Sequence, residues 1–229
     1  MPPVPSVGLA LYLIVRVYDT TDLTAAALVQ ARRVAEDTLR APNIQMMWRT
    51  CPPVPGPSVR NLTAPDQTVA DNLTADRVRC ERPLEPQELV VRITTAGAGT
   101  ASGWLGYSYV DTALRTGALA TVFADRISST AEHLGMEPGT LMGRAMAHEL
   151  IHLILGTTAH TRSGLMRADW TSPRRPDDWT LSRAEAERLQ RGLIARMSTT
   201  SPAPVVATGQ PDCRAVACAG RSELLSTRP

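Results

Sequence analysis

The chain has no lysine: all 24 of its basic residues are arginine. Set against 22 acids they leave a net charge of +2, and they are scattered along the sequence rather than gathered in runs, which argues against a nucleic-acid partner. Long apolar runs are missing too. The stretch from Leu9 to Tyr18 falls short of the about 20 residues of a membrane span. It also lacks the basic start and small-residue cleavage site of a signal peptide, and reads as a buried first strand. Cysteine is scarce, with four residues and no CxxC spacing, which disfavours a cysteine metal cluster. Cys51 with Cys80, and Cys213 with Cys218, could each close a disulfide; free thiols are the alternative. An even count of this kind suits an oxidising compartment, so a secreted or extracytoplasmic location is expected.

Histidine is also rare, yet three of the four lie between positions 148 and 160. His148-Glu149-Leu150-Ile151-His152 places two imidazoles four residues apart, on one face of a helix with about 3.6 residues per turn, where both can meet one ion. Glu149 stands beside that ion without ligating it, placed to take a proton from a metal-bound water. Pro138-Gly139-Thr140 is a helix start signal, and Leu141, Met142, Ala145, Met146, Ile151 and Leu155 mark a buried side. Gly156 is placed to end the helix in a left-handed turn and bring the following segment back towards the metal.

A catalytic zinc takes three protein ligands and keeps a fourth position open. His160 is the nearest ligand type after the turn. Asp169, Glu185 and Glu187 are rivals, the glutamates because a downstream helix can supply a ligand as in thermolysin-like enzymes. His133, at an expected helix end, reads as structural.

The motif, the third histidine and Ser163-Gly164-Leu165-Met166-Arg167 together resemble a metzincin zinc peptidase with its Met-turn. The metzincin pattern has glycine three and histidine six residues after the second histidine; here Gly156 and His160 follow His152 by four and eight. The short run from His160 to Met166 is closer to the archaemetzincin layout. The resemblance implies an α+β zincin-like domain, a mixed sheet with an active-site helix and a short C-terminal helical part. It also implies a zinc-dependent endopeptidase acting on peptide or protein substrates, with His148, His152 and His160 as ligands, Glu149 as catalytic base and Met166 beneath the metal. The other class is a zinc-binding domain that cleaves no peptide, or a zinc hydrolase of another amide.

In chain order, Leu9–Tyr18 is an expected strand, Thr24–Arg40 a helix with Ala27, Ala31, Val34, Ala35 and Leu39 inward, and Asn43–Thr50 a strand. The proline-rich stretch from Cys51 to Pro86 reads as a long loop. Strands are expected at Leu89–Thr95, Trp104–Val110 and Ala120–Ile127, and a helix at Ser128–Leu134. The segment around Tyr107 and Tyr109 is either an edge strand against which a substrate could pair or an ordinary internal strand. Asp169–Trp179 is a loop. Ser182-Arg183-Ala184-Glu185 is a capping box opening a helix with Ala186, Leu189, Leu193 and Met197 buried. The expected domain spans 1–198, and 199–229, rich in Ser, Thr, Pro and Ala, is expected to be a flexible tail.

Overall fold

A computed structural model describes residues 11–21, 23–40, 42–52, 77–98, 100, 103–170 and 179–198. Its first strand, β1 (Leu11–Asp19), is the centre of organisation: it pairs in parallel with β2 (Ile44–Cys51) on one side and β3 (Glu88–Thr94) on the other. Between β1 and β2 runs α1 (Ala25–Arg40). Next come β4 (Gly106–Asp111), β5 (Thr116–Phe123), α2 (Ala124–His133), α3 (Pro138–Leu155) and α4 (Arg183–Ser198). The sheet order is β2-β1-β3-β5-β4; β5 joins β3 in parallel, and β4 alone runs antiparallel, at the edge. The expectation of a mixed α+β sheet holds.

Side chains alternate across a strand. Leu13, Val15 and Val17 of β1, with Leu89, Val91 and Ile93 of β3, are fully buried and share one core with Ala31, Ala35 and Leu39 of α1 and Leu141, Met142 and Ala145 of α3. The intervening Arg16 points to the opposite face, where Glu88 accepts hydrogen bonds from it, from Arg49 (2.8 Å) and from Arg82 (2.9 Å). Arg16 also donates to the carbonyls of Cys80 (2.9 Å) and Arg82 (2.8 Å), which ties a short helical turn at 77–81 onto this face. A disulfide between Cys51 and Cys80 secures the same turn. Residues 53–76 of the expected loop, Cys213 and Cys218, and the expected tail lie outside the described residues.

Several details differ from the sequence expectation, among them that β5 already begins at Thr116. The strand expected at 120–127 ends at Phe123, because Ala124, Ile127 and Ala131 are buried at helical spacing and begin α2 early. The strand expected from Trp104 begins at Gly106, leaving the Trp104 side chain half exposed. The capping box forms as expected, with Ser182 N–H donating to Glu185 Oε2 (2.7 Å) and Glu185 N–H to Ser182 Oγ (3.3 Å). The buried side of α4 is Glu185, Leu189 and Leu193, whereas Met197 is exposed, one turn beyond the part of the helix that meets the core. Among the described residues no helix is long and apolar enough to cross a membrane.

Candidate active site

Helix α3 begins with Pro138 in its first turn and runs through Leu155, buried over nearly its whole length. Gly156 ends it at φ 59°, ψ 44°. Its lack of a side chain is needed twice over: the left-handed conformation strains other residues, and a Cβ here would fall 2.3 Å from the carbonyl oxygen of Arg115. The reversal returns the chain so that His160 faces the helix.

The three imidazoles meet through their Nε2 atoms. His148 to His152 is 3.0 Å, and His160 lies 3.3 Å from each. The ring orientations have identifiable causes. His148 Nδ1 lies 2.9 Å from the Leu165 carbonyl, and His152 Nδ1 lies 2.8 Å from the Thr157 carbonyl. A carbonyl can only accept, so both Nδ1 atoms carry the proton. Burial, reinforced by the neighbouring imidazoles, holds the His148 pKa down to about 3 and that of His152 down to about 4; burial also lowers that of His160. Each of the first two rings is then neutral with its one proton committed, and its Nε2 presents a bare lone pair.

Lone pairs converging at this distance repel one another unless a cation lies among them. A tetrahedral zinc with Zn–N bonds of about 2.0–2.1 Å separates its ligand nitrogens by about 3.3 Å. The triangle matches that geometry, the neutral imidazoles match the required protonation state, and the carbonyl partners are the outer hydrogen bonds that orient metal-binding histidines. Among the described residues this is the one cluster of three or more His, Cys, Asp or Glu side chains able to hold a metal ion.

Of the other candidate ligands, none joins the group. Glu185 is the cap of α4, Glu187 pairs with Arg183 at 3.0 Å, and Asp169 is exposed. His133 is exposed at the end of α2, in keeping with a structural role. Met166 is buried in the core, next to the Leu165 carbonyl that orients His148. Its loop is pinned by the Thr161 N–H donating to the Met166 carbonyl (2.8 Å).

Glu149 is 6 % exposed, and burial pushes its carboxyl up to about 7 against the lowering effect of the Ser108 hydroxyl. Ser108 Oγ lies 2.6 Å from Glu149 Oε2 and 2.8 Å from the Glu149 carbonyl. The edge strand makes room for this carboxylate: a Cβ on Gly106 would stand 3.2 Å from Glu149 Oε1 and 2.6 Å from the Thr121 carbonyl oxygen. Tyr107 and Tyr109, two apart on the same strand, project to the other face, their rings in an edge contact at 5.1 Å and their hydroxyls 3.2 Å apart. Arg92 donates to the Tyr107 hydroxyl (3.2 Å). Both tyrosines line the cleft of about 840 Å³ that contains the triad.

Two residues of the site escaped the sequence reading. Trp170 is buried, sets its ring edge-on to His148 at 5.2 Å between centroids, and donates its Nε1–H to the Arg167 carbonyl (3.0 Å). Ser108 reaches Glu149 only because β4 folds alongside α3; the one local signal is that it alternates with Gly106 on the strand.

No protein-family model matches the chain, and no curated protein matches it. Among solved structures, the crystal structure of archaemetzincin from Methanopyrus kandleri overlays with a TM-score of 0.46 and 15% sequence identity, covering 80% of this chain and 96% of that one. This is a loose likeness, and the reading of the site rests on the geometry of the chain itself.

Proposed function

We propose that the chain is a zinc-dependent endopeptidase in which His148, His152 and His160 hold the metal and Glu149 is the general base. The observation that carries the reading is the Nε2 triangle, with its edges of 3.0 to 3.3 Å and its outward ring protons already committed on His148 and His152. A zinc held by these three histidines would supply Lewis acidity, making water more acidic and polarising a substrate carbonyl.

The chain's own groups do the rest. Glu149 takes a proton from the attacking water and delivers it to the leaving amine, a double duty suited to a buried carboxyl that titrates near neutrality. Strand β4 pairs on one side only, with β5, so its free edge can hold an extended peptide by backbone hydrogen bonds, beside Tyr107 and Tyr109. Met166 serves as the base of the metal site in the manner of a Met-turn, and residues 1–198 form the catalytic domain. The Cys51–Cys80 disulfide supports an extracytoplasmic setting.

The test is Glu149→Gln, assayed on casein with and without a chelator. The variant keeps its zinc and its fold, and cleavage falls by about 10² to 10⁴ or more, the range for a lost general base. Cleavage at the parent rate in the variant overturns the mechanism.

A further inference from the structure

Three arginines of α4 and one from a distant turn meet around one cavity. It has a volume of about 1120 Å³ and lies between α4, the end of α3 and the turn joining β4 to β5. His160 lines both this cavity and the cleft described above, so the two spaces adjoin at that side chain. Four arginines contribute to the wall: Arg115 from the turn, and Arg188, Arg191 and Arg196 from α4.

None of the four forms a salt bridge with the two acids of the wall. Arg196 donates to the carbonyls of Pro86 (2.6 Å) and Gly117 (2.7 Å), and Arg115 to that of Leu155 (3.3 Å). Carbonyls orient a guanidinium but carry no net charge. Arg188 and Arg191 are exposed and form no ion pair with any described residue. The two acids of the wall are engaged elsewhere, Glu85 with Arg82 (3.4 Å) and Glu185 with the α4 cap. With four guanidiniums against two carboxylates the wall has a positive excess, and a concave space with such an excess focuses its field and draws in the opposite sign. The whole chain is nearly neutral, so this excess is a local feature and not a reflection of composition.

We propose that this cavity is a subsite for acidic side chains of the peptide substrate, selecting substrates that carry Glu or Asp a few residues from the cleaved bond. The proposal rests on the peptidase reading above. A guanidinium matches a carboxylate in a paired, two-bond geometry, and several of them around one space favour an acidic segment over a neutral one. The turn carrying Arg115 follows the Asp111 end of β4 and lines the cavity.

The test uses quenched fluorescent peptides of one parent sequence, in which a short neutral run to one side or the other of the cleaved bond is replaced by glutamates or by arginines. The parent protein is expected to prefer the glutamate peptide over the neutral one by about tenfold in kcat/KM, a preference that shrinks as salt is raised. In Arg188→Glu/Arg191→Glu the ratio is expected to fall to unity or invert towards the arginine peptide. A parent that cleaves all three peptides alike, or a ratio unmoved by the charge reversal, overturns the subsite. Failure of the peptidase reading shows separately, as no cleavage of any peptide. In that event anisotropy of the labelled glutamate peptide on the intact zinc-loaded protein decides the cavity: binding lost in the double variant upholds an acidic-segment site, and no binding removes it.

Discussion

Two clusters of ionisable side chains, one built around buried Glu88 and Arg16 and one around buried His148 and His152 with the exposed His160, lie on opposite sides of the same sheet, and they are satisfied in opposite ways. On the outer face, Glu88 is fully buried and both of its oxygens take hydrogen bonds from within the chain, from Arg16, Arg49, Arg82 and the Glu85 N–H. On the helix side, His148 and His152 turn bare Nε2 acceptors towards each other and towards the Nε2 of His160. A buried polar group ordinarily has a partner, and one left without is costly. In the first cluster the carboxylate is fully satisfied, with Arg16 Nε alone left over, and it holds the fold; the second presents converging ring nitrogens that a cation would complete. Burial alone does not distinguish a structural polar cluster from a binding site. What distinguishes them is whether donors and acceptors balance.

The largest effect expected from this comparison is at the incomplete cluster. His148→Ala leaves two nitrogens, which hold zinc poorly, so the metal content of the purified protein is expected to drop from the proposed one per chain to near none, and the proposed peptidase activity with it. Metal analysis checks this, with circular dichroism to show that the fold persists. Zinc retained at full stoichiometry means the triangle is not the metal site.

At the complete cluster the consequence falls on stability. Glu88→Ala strands Arg16 without its carboxylate and is expected to cost about 3–5 kcal/mol in urea unfolding, while zinc stays bound. The same carboxyl gives a pH signature. Burial raises its pKa, but the Glu85 N–H and the Arg16 and Arg49 guanidiniums outweigh burial and hold it below the ordinary glutamate value. Its contribution is complete above the unfolded pKa of about 4.3 and is lost as pH falls through the lower folded value. Acid unfolding of Glu88→Gln should be flatter than that of the parent in this window, and parallel curves would remove Glu88 from the account.

Smaller again is the disulfide that ties the helical turn at 77–81 to β2. Cys51→Ser/Cys80→Ser opens a loop with a sequence separation of 29 and is expected to cost about 2–4 kcal/mol, chiefly through the unfolded state. Equal midpoints for the reduced and oxidised protein would contradict it. Smallest is Glu185→Ala, which removes a helix cap worth about 1 kcal/mol and leaves zinc content unchanged.

The parts of this comparison differ in how far they were legible from sequence. The helix-borne half of the triad was readable because the four-residue spacing of His148 and His152 is itself the geometry. The direction of His160 was readable through Gly156, whose left-handed turn follows from residue type. Glu88 and its arginines gave no such signal: they come from separate strands and a loop, and only the pairing of β1 with β3 brings Arg16 and Glu88 together. Ser108 is 41 residues from Glu149, and the Leu165 and Thr157 partners are backbone carbonyls, which no side-chain pattern announces. The cavity arginines were invisible for the same reason, since Arg115 and α4 meet only in space. At the boundary of β5 and α2, apolar residues continued across the junction, and the change from a two-residue to a helical period was too short to mark it.

The central claim is that three neutral histidines form one metal site, and calorimetric titration of zinc into chelator-treated protein tests it most directly. The expected result is a single site per chain, kept in Glu149→Gln and Glu185→Ala and strongly weakened in His160→Ala. Absence of stoichiometric binding, or binding that survives His160→Ala and disappears in Glu185→Ala, would contradict it.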